Sequence, residues 1–290
     1  MAAPKLTPMF EQYLGIKEEY PDALLFYRMG DFYELFFEDA ETAARELSIT
    51  LTSRNPNAET RIPMCGVPHH SATGYLTKLL EKGFRVAICD QIEDPKEAKG
   101  LVKRAVTRVL TPGTVLEDEN LHSASNNFLA AYLFDHDRSY GGLAWADAST
   151  GLFTGIHSRK ETELLQWLQK IGPRELLVPE MTDPPQALSE SIHIQPVSFA
   201  THFKLPRARE RVLRAQSVPD ESLLGLADKR ELLQACGALV AYLSETQKRD
   251  SSHLQAFKPL AMGKHLILDE VTERNLELFR TLDGRTGKGT

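Results

Sequence analysis

The sequence predicts an α/β protein, with a mixed sheet in its first part and a second, separately folded α/β part behind it. Three observations carry this. Between Thr7 and Thr111 helix-period and strand-period segments alternate, three strand-like runs crowd residues 128–157 with short turns between them, and residues 112–127 show no period. With 290 residues the chain can form two compact domains, and 42% hydrophobic against 26% charged residues is ordinary for a globular protein.

The elements follow in order. A helix is expected near residues 8–19, then an apolar strand "ALLFYRM" (23–29), a helix from Asp31 to about Leu47, and a second from Ser71 to about Lys82. Strands "RVAICDQI" (85–92) and "AVTRVLT" (105–111) close the first part, with the lysine-rich loop "EDPKEAKGLVKR" between them. Turn residues, acids and serines fill 112–127, the composition of an inter-domain linker. Beyond it the runs "FLAAYLF" (128–134), "GGLAWAD" (141–147) and "GLFTGIH" (151–157) read as a three-stranded meander. A helix at 161–171, a strand at 174–179 and helices near 207–215 and 229–247 follow. From about Ser251 something new begins: a strand-like "HLILDE", then a helix whose apolar face of Val271, Leu276, Leu278 and Phe279 has no partner downstream. The chain therefore reads as the front part of a longer protein.

A net charge of -6 argues against coating nucleic acid by bulk charge, so any such contact needs a local basic patch. Cys65, Cys89 and Cys236 are far apart and form no CxxC pair, which fits reduced, buried thiols of a cytoplasmic protein. No run has the length of a signal-peptide core or a membrane span.

The stretch "RMGDFYELFF" (28–37) raises the sharpest question. Read as a helix start, it makes Asp31 the N-cap and Glu34 the acidic partner of a capping box. Tyr33, Phe36, Phe37, Ala40, Ala44 and Leu47 then form one stripe. Phe32 does not belong to that stripe; it lies roughly 90° from its centre at ~100° per residue. An aromatic at the tip of a rigid element suits insertion between stacked bases. A carboxylate beside it cannot add affinity for a polyanion, so its use must lie in reading something.

The segments "LLFYRMGDFYELFFEDA", "RIPMCGVPHHSATGYLTKLLEKGFRVAICDQIEDP" and "VTRVLTPGTVLED" resemble the N-terminal mismatch-recognition domain of the MutS family of DNA mismatch-repair proteins. The likeness is dense over residues 7–118, weaker through the second part, and resumes at "LDEVTERNLEL". It implies a mismatch-recognition domain (1–115), a linker (116–126), a connector domain (127–248) and the start of a core domain (249–290). Independently of it, three antiparallel strands followed by alternating helix and strand resemble the ribonuclease-H-like topology.

By the same resemblance Phe32 enters the minor groove and stacks on a mispaired base while Glu34 hydrogen-bonds that base. Candidate phosphate contacts are Arg54, Lys96, Lys99, Lys103, Arg104 and Arg108, the last best matched to the family's "TRVLTPGT" segment. Met64, in "IPM", matches a loop along the minor groove and reads equally well as core. The implied partners are mismatched double-stranded DNA, MutL through the connector, and a second copy of the full-length protein. ATP and Mg belong to a part of the full-length family member beyond this chain. Relatives that act in recombination generally lack the Phe-x-Glu pair.

Three other motifs are set aside. "DGRTGKGT" at the C-terminus has Leu282 where a phosphate loop needs glycine and Gly289 where it needs Ser or Thr. Adjacent His69 and His70 diverge on any regular element and have no metal-ligand spacing. Asp135 and Asp147 follow strands of the second part and invite a metal-dependent nuclease reading, although the first strand itself holds no acid.

Overall fold

The computed structural model describes residues 7–54, 61–93, 100–114, 127–182, 192–248 and 254–260. The chain divides into two compact units, Met1–Ser125 with Leu243–Asp250, and Asn126–Tyr242 with Ser251–Thr290. Among the described residues no helix is long and apolar enough to cross a membrane.

The first unit runs α1 (Pro8–Glu19), β1 (Ala23–Met29), β2 (Phe32–Phe36), α2 (Phe37–Leu47), β3 (Thr52–Ser53), β4 (Pro63–Pro68), α3 (Ala72–Glu81), β5 (Arg85–Gln91) and β6 (Arg104–Leu110). Its sheet has the order β3-β4-β2-β1-β5-β6. Only β1 and β5 pair in parallel, so the sheet is mixed as expected. Both faces are covered. On one, Phe10 and Tyr13 of α1 pack with Leu25, Tyr27, Phe36 and Cys89; on the other, α2 and α3 bury Phe26, Tyr33, Leu35, Cys65 and Ile88.

That two-sided cover corrects the expected helix from Asp31. Residues 32–36 are a strand, and the helix starts only at Phe37. Tyr33 and Leu35 enter one core while Phe36 enters the other, where its ring meets Phe10 at 5.2 Å and Tyr13 at 5.1 Å. A short strand buried on both faces loses its alternation, and period alone then cannot separate it from helix. Gly30 has φ +57, the left-handed backbone that the first central residue of a tight hairpin turn requires, and Met29 pairs with Phe32 across it. Phe37 has φ +54, so the chain swings from extended to helical within one residue. The capping box is accordingly absent: Phe36 occupies the N-cap position, with no side-chain cap bond.

Strands β3 and β4 were not foreseen. Pro63 and Pro68 bound β4 and Gly66 interrupts it, which hides the strand signal.

The second unit begins with β7 (Phe128–Asp135), β8 (Tyr140–Asp147) and β9 (Phe153–Ser158), the expected antiparallel meander. After α4 (Glu161–Ile171), β10 (Glu175–Pro179) returns parallel to β7, giving the ribonuclease-H-like arrangement. Then come β11 (His193–Val197), α5 (Leu205–Ala215), α6 (Arg230–Gln247) and β12 (Lys258–Pro259), in a sheet ordered β11-β10-β7-β8-β9-β12. Edge strand β11 contains Pro196 and went unread for that reason. One core joins α4 to the sheet through Leu143, Trp145, Ile156, Leu164, Leu168 and Leu176. On β8, a Cβ added to Gly142 would overlap the backbone of Leu232, so this glycine is what lets α6 lie against the strand.

The expected linker at 116–126 and the expected strand and helix of the core segment after residue 260 lie outside the described residues.

Candidate nucleic-acid interface

Strand register places Phe32 and Glu34 side by side. In a helix, residues two apart diverge by about 200°; in a strand they share a face. Across β2 the rows are Met29–Phe32–Pro68 and Tyr27–Glu34–Gly66, with β1 on one side and β4 on the other. This is the α1 face, and the cover that α1 gives Phe36 and Tyr27 does not reach Phe32, which is 46% exposed. A rigid hairpin end thus holds an aromatic ring in solvent next to a half-buried carboxylate.

Gly66 shapes the space beside them. A Cβ there would lie 3.8 Å from Phe32 Cδ1 and 3.7 Å from Glu34 Cγ, so its absence leaves the cross-strand position open between the two side chains. The turn is fixed from behind: Arg28 Nε donates to the Gly30 carbonyl at 2.5 Å, and the His69 amide donates to the Asp31 carbonyl at 2.8 Å. On the opposite face the Tyr33 hydroxyl donates to Asp90 at 2.9 Å, and the His69 ring lies 5.3 Å from that of Tyr33.

Arg54 reaches Glu34 from the far side of β4. Its Nη1 donates to Glu34 Oε2 at 2.6 Å, and its guanidinium passes 6.0 Å from the Phe36 ring. Burial nevertheless holds the Glu34 carboxyl above its ordinary pKa, outweighing the charges of Arg54 and Arg104, which pull it down. The close ion pair and the upward direction oppose each other; burial prevails because the Glu34 side chain is only 18% exposed while Arg54 remains exposed.

The other foreseen residues distribute unevenly. Arg104 lies on the Phe32 face but is occupied internally: Nε donates to the Arg28 carbonyl at 2.7 Å, Nη1 to the Val102 carbonyl at 2.9 Å, and its guanidinium sits 4.9 Å from the Tyr27 ring. Met64 is partly buried against the α1-side core, opposite Phe36. Lys103 is exposed, its main chain tied to Ile92 and Glu93. Arg108 stands opposite Ile88 of the other core and so projects from the other face. Lys96 and Lys99 lie outside the described residues.

Residues 7–119 match the family model described as MutS domain I, and residues 127–255 match that of MutS domain II. The chain belongs to the MutS family. It is 63% identical over 289 residues to the DNA mismatch repair protein MutS of Nitratidesulfovibrio vulgaris strain Hildenborough, a match covering 99% of this chain and 32% of that protein. The MutS of Oleidesulfovibrio alaskensis is 60% identical over 289 residues, with 99% and 32% covered. That of Lawsonia intracellularis is 56% identical over 288 residues, again with 99% and 32% covered. The chain thus spans about a third of the length of these curated relatives.

Within MutS domain I, Gly66 and Arg28 shape the candidate site, and sequence reasoning missed them. Nothing local signals them, because their roles depend on which strands become neighbours. In MutS domain II, Asp135 and Asp147 serve turns: Asp135 accepts the Arg138 amide at 3.1 Å, and Asp147 accepts the Ser149 amide at 2.9 Å and hydroxyl at 2.6 Å. Phe128 pairs with Asp147 and Asp135 with Tyr140, so the two acids stand at opposite ends of the β7–β8 pair, about 24 Å apart at ~3.4 Å per residue. They cannot share the paired metals of a nuclease site, whose ions lie about 4 Å apart.

Proposed function

We propose that this chain is the mismatch-sensing portion of a MutS-type repair protein, in which Phe32 enters the minor groove beside a mispaired or unpaired base and Glu34 hydrogen-bonds it. The observation that carries the reading is the pairing of an exposed aromatic and a half-buried carboxylate on one face of a fixed hairpin end, with Gly66 keeping the adjoining space clear. A mispair stacks poorly, so kinking the duplex there costs less than at a matched step, and deformation energy discriminates. Stacking on an aromatic contributes ~1–3 kcal/mol and accepts any base, as a sensor of many mispairs needs.

Glu34 faces polyanionic DNA, so its value lies in specificity. To donate to a ring-nitrogen acceptor it must be protonated, and burial already favours the neutral form. Arg54, Lys96, Lys99, Lys103 and Arg104 supply the basic surroundings for the phosphate backbone, with Met64 lining the groove; Arg108, which projects from the opposite face, stands apart from them. Arg104 acts mainly by fixing Arg28 and the hairpin, since its Nε and Nη1 are already engaged. The domain limits we assign are 1–115 for the sensor, 127–248 for the connector and 249–290 for the start of the core. The connector passes the mismatch-bound state to MutL. The full-length protein acts as a cytoplasmic homodimer whose ATPase, with ATP and Mg, lies outside this chain.

The test is fluorescence anisotropy on the full-length protein, with a duplex holding one G·T pair and its matched control at fixed salt. Phe32→Ala is expected to abolish the preference for the G·T duplex while salt-dependent binding to both survives. Equal preference before and after the substitution would make Phe32 structural and end the reading.

A further inference from the structure

The Arg54–Glu34 ion pair presents a difficulty for base reading. One carboxyl oxygen of the residue that should meet the base is already held, at 2.6 Å, by an arginine from a different strand. The pair has little to do with holding the fold: Arg54 is exposed, follows a two-residue edge strand, and its main chain is anchored independently by the Ile62 carbonyl at 3.2 Å. The groups facing Glu34 are few. Tyr27 stands beside it on β1, Arg104 acts from β6, and β4 offers Gly66 between Met64 and Pro68, three residues with no titratable side chain.

We propose that Arg54 is a latch on Glu34: in the free protein it holds the carboxylate, and the duplex must draw Arg54 onto a backbone phosphate before Glu34 can turn to the base. The exchange balances. The Arg54–Glu34 hydrogen bond breaks, Arg54 gains charge-assisted bonds to a phosphate oxygen, and the carboxylate, having lost its cation beside a polyanion, takes one proton from solvent. Arg54 is thus a positioning residue whose release couples backbone engagement to base reading. The latch also suppresses indiscriminate binding, since a paired arginine meets a phosphate only at the expense of its bond to Glu34. The inference rests on the mismatch-sensing role of Glu34.

A double-mutant cycle on the full-length protein tests it, with Arg54→Ala, Glu34→Gln and both together. Each is titrated over a salt series with a matched duplex and a duplex carrying one G·T pair. With Arg54 present, Glu34→Gln is expected to tighten matched-duplex binding by about threefold, the scale of an exposed ion pair. The freed guanidinium should also steepen the log–log salt slope by about 0.9. In the Arg54→Ala background Glu34→Gln should change neither. Arg54→Lys, which keeps charge but loses the planar fork, should behave between the two. An equal effect of Glu34→Gln in both backgrounds means that the residues act independently and overturns the latch. Phe32→Ala measured alongside separates the failures: if it removes the G·T preference while the cycle is additive, the latch alone falls. If the preference is indifferent to Phe32, the mismatch reading falls with it.

Discussion

Gly66 on β4 and Gly142 on β8 are both glycines inside paired strands, and their surroundings are opposite. At Gly142 the backbone of α6 occupies the place of a side chain. At Gly66 a methyl group would find only ordinary contacts, 3.4 Å from the Tyr33 carbonyl oxygen at the nearest, on a face that α1 leaves uncovered beside Phe32. The two carboxylates follow the same division. Glu231, 1% exposed, lies between Arg138 at 3.0 Å and His157 at 2.9 Å, sealed at the start of α6. Glu34 has one strong partner, from an exposed arginine, and an open side. Smallness and charge serve packing where a helix closes over the strand, and on the proposed reading they serve recognition where the helix stops short.

The largest effect should come from closing the tight site. Gly142→Ala is expected to destabilise the second unit by about 3 kcal/mol, because backbone rather than a mobile side chain must yield. Urea unfolding followed by circular dichroism measures this, and an unchanged midpoint would mean that the close approach of α6 is not needed. Glu231→Gln should follow at roughly 1–3 kcal/mol, since it removes the charge of a buried carboxylate that faces Arg138 and shares a hydrogen bond with His157. The loss should be similar at low and high salt, because the group is buried.

On the other side of the comparison, Gly66→Ala should leave stability within about 0.5 kcal/mol, yet lower the preference for a G·T duplex, since its methyl group fills open space beside Phe32 and Glu34 without clashing with either. If instead it unfolds the protein, the two glycines are alike and the contrast is broken.

The smallest effect is a pH dependence. Burial raises the Glu34 pKa in the folded state above its unfolded value, so between those two values the native state binds more protons. Stability therefore falls as pH rises through that window, and the effect is small because the charges of Arg54 and Arg104 offset part of the burial. Glu34→Gln should flatten the unfolding free energy in the range just above the ordinary carboxylate pKa, relative to the parent protein. An identical pH profile in both would show that Arg54 fully compensates the burial.

Much of this architecture was legible in the sequence. Residues 8–19, 23–29, 85–92 and the meander from 128 onward carry their period openly, because each element buries one face or is apolar throughout. The motif "MGDF" contains its own turn, since Gly30 supplies the left-handed backbone that a two-residue hairpin demands. The sequence also brought forward Phe32 and Glu34, an aromatic and an acid that no helical stripe could hold together.

What it could not decide was how they stand. Residues 33–36 fit a helical stripe equally well, and only the presence of α1 on one face with α2 and α3 on the other makes them a strand. That single change turns two diverging side chains into neighbours. The opening at Gly66, the reach of Arg54 and the internal use of Arg104 depend on strands distant in the chain becoming adjacent in the sheet. Local sequence determines what each segment can be; which face is covered, and where the cover ends, is fixed by long-range packing.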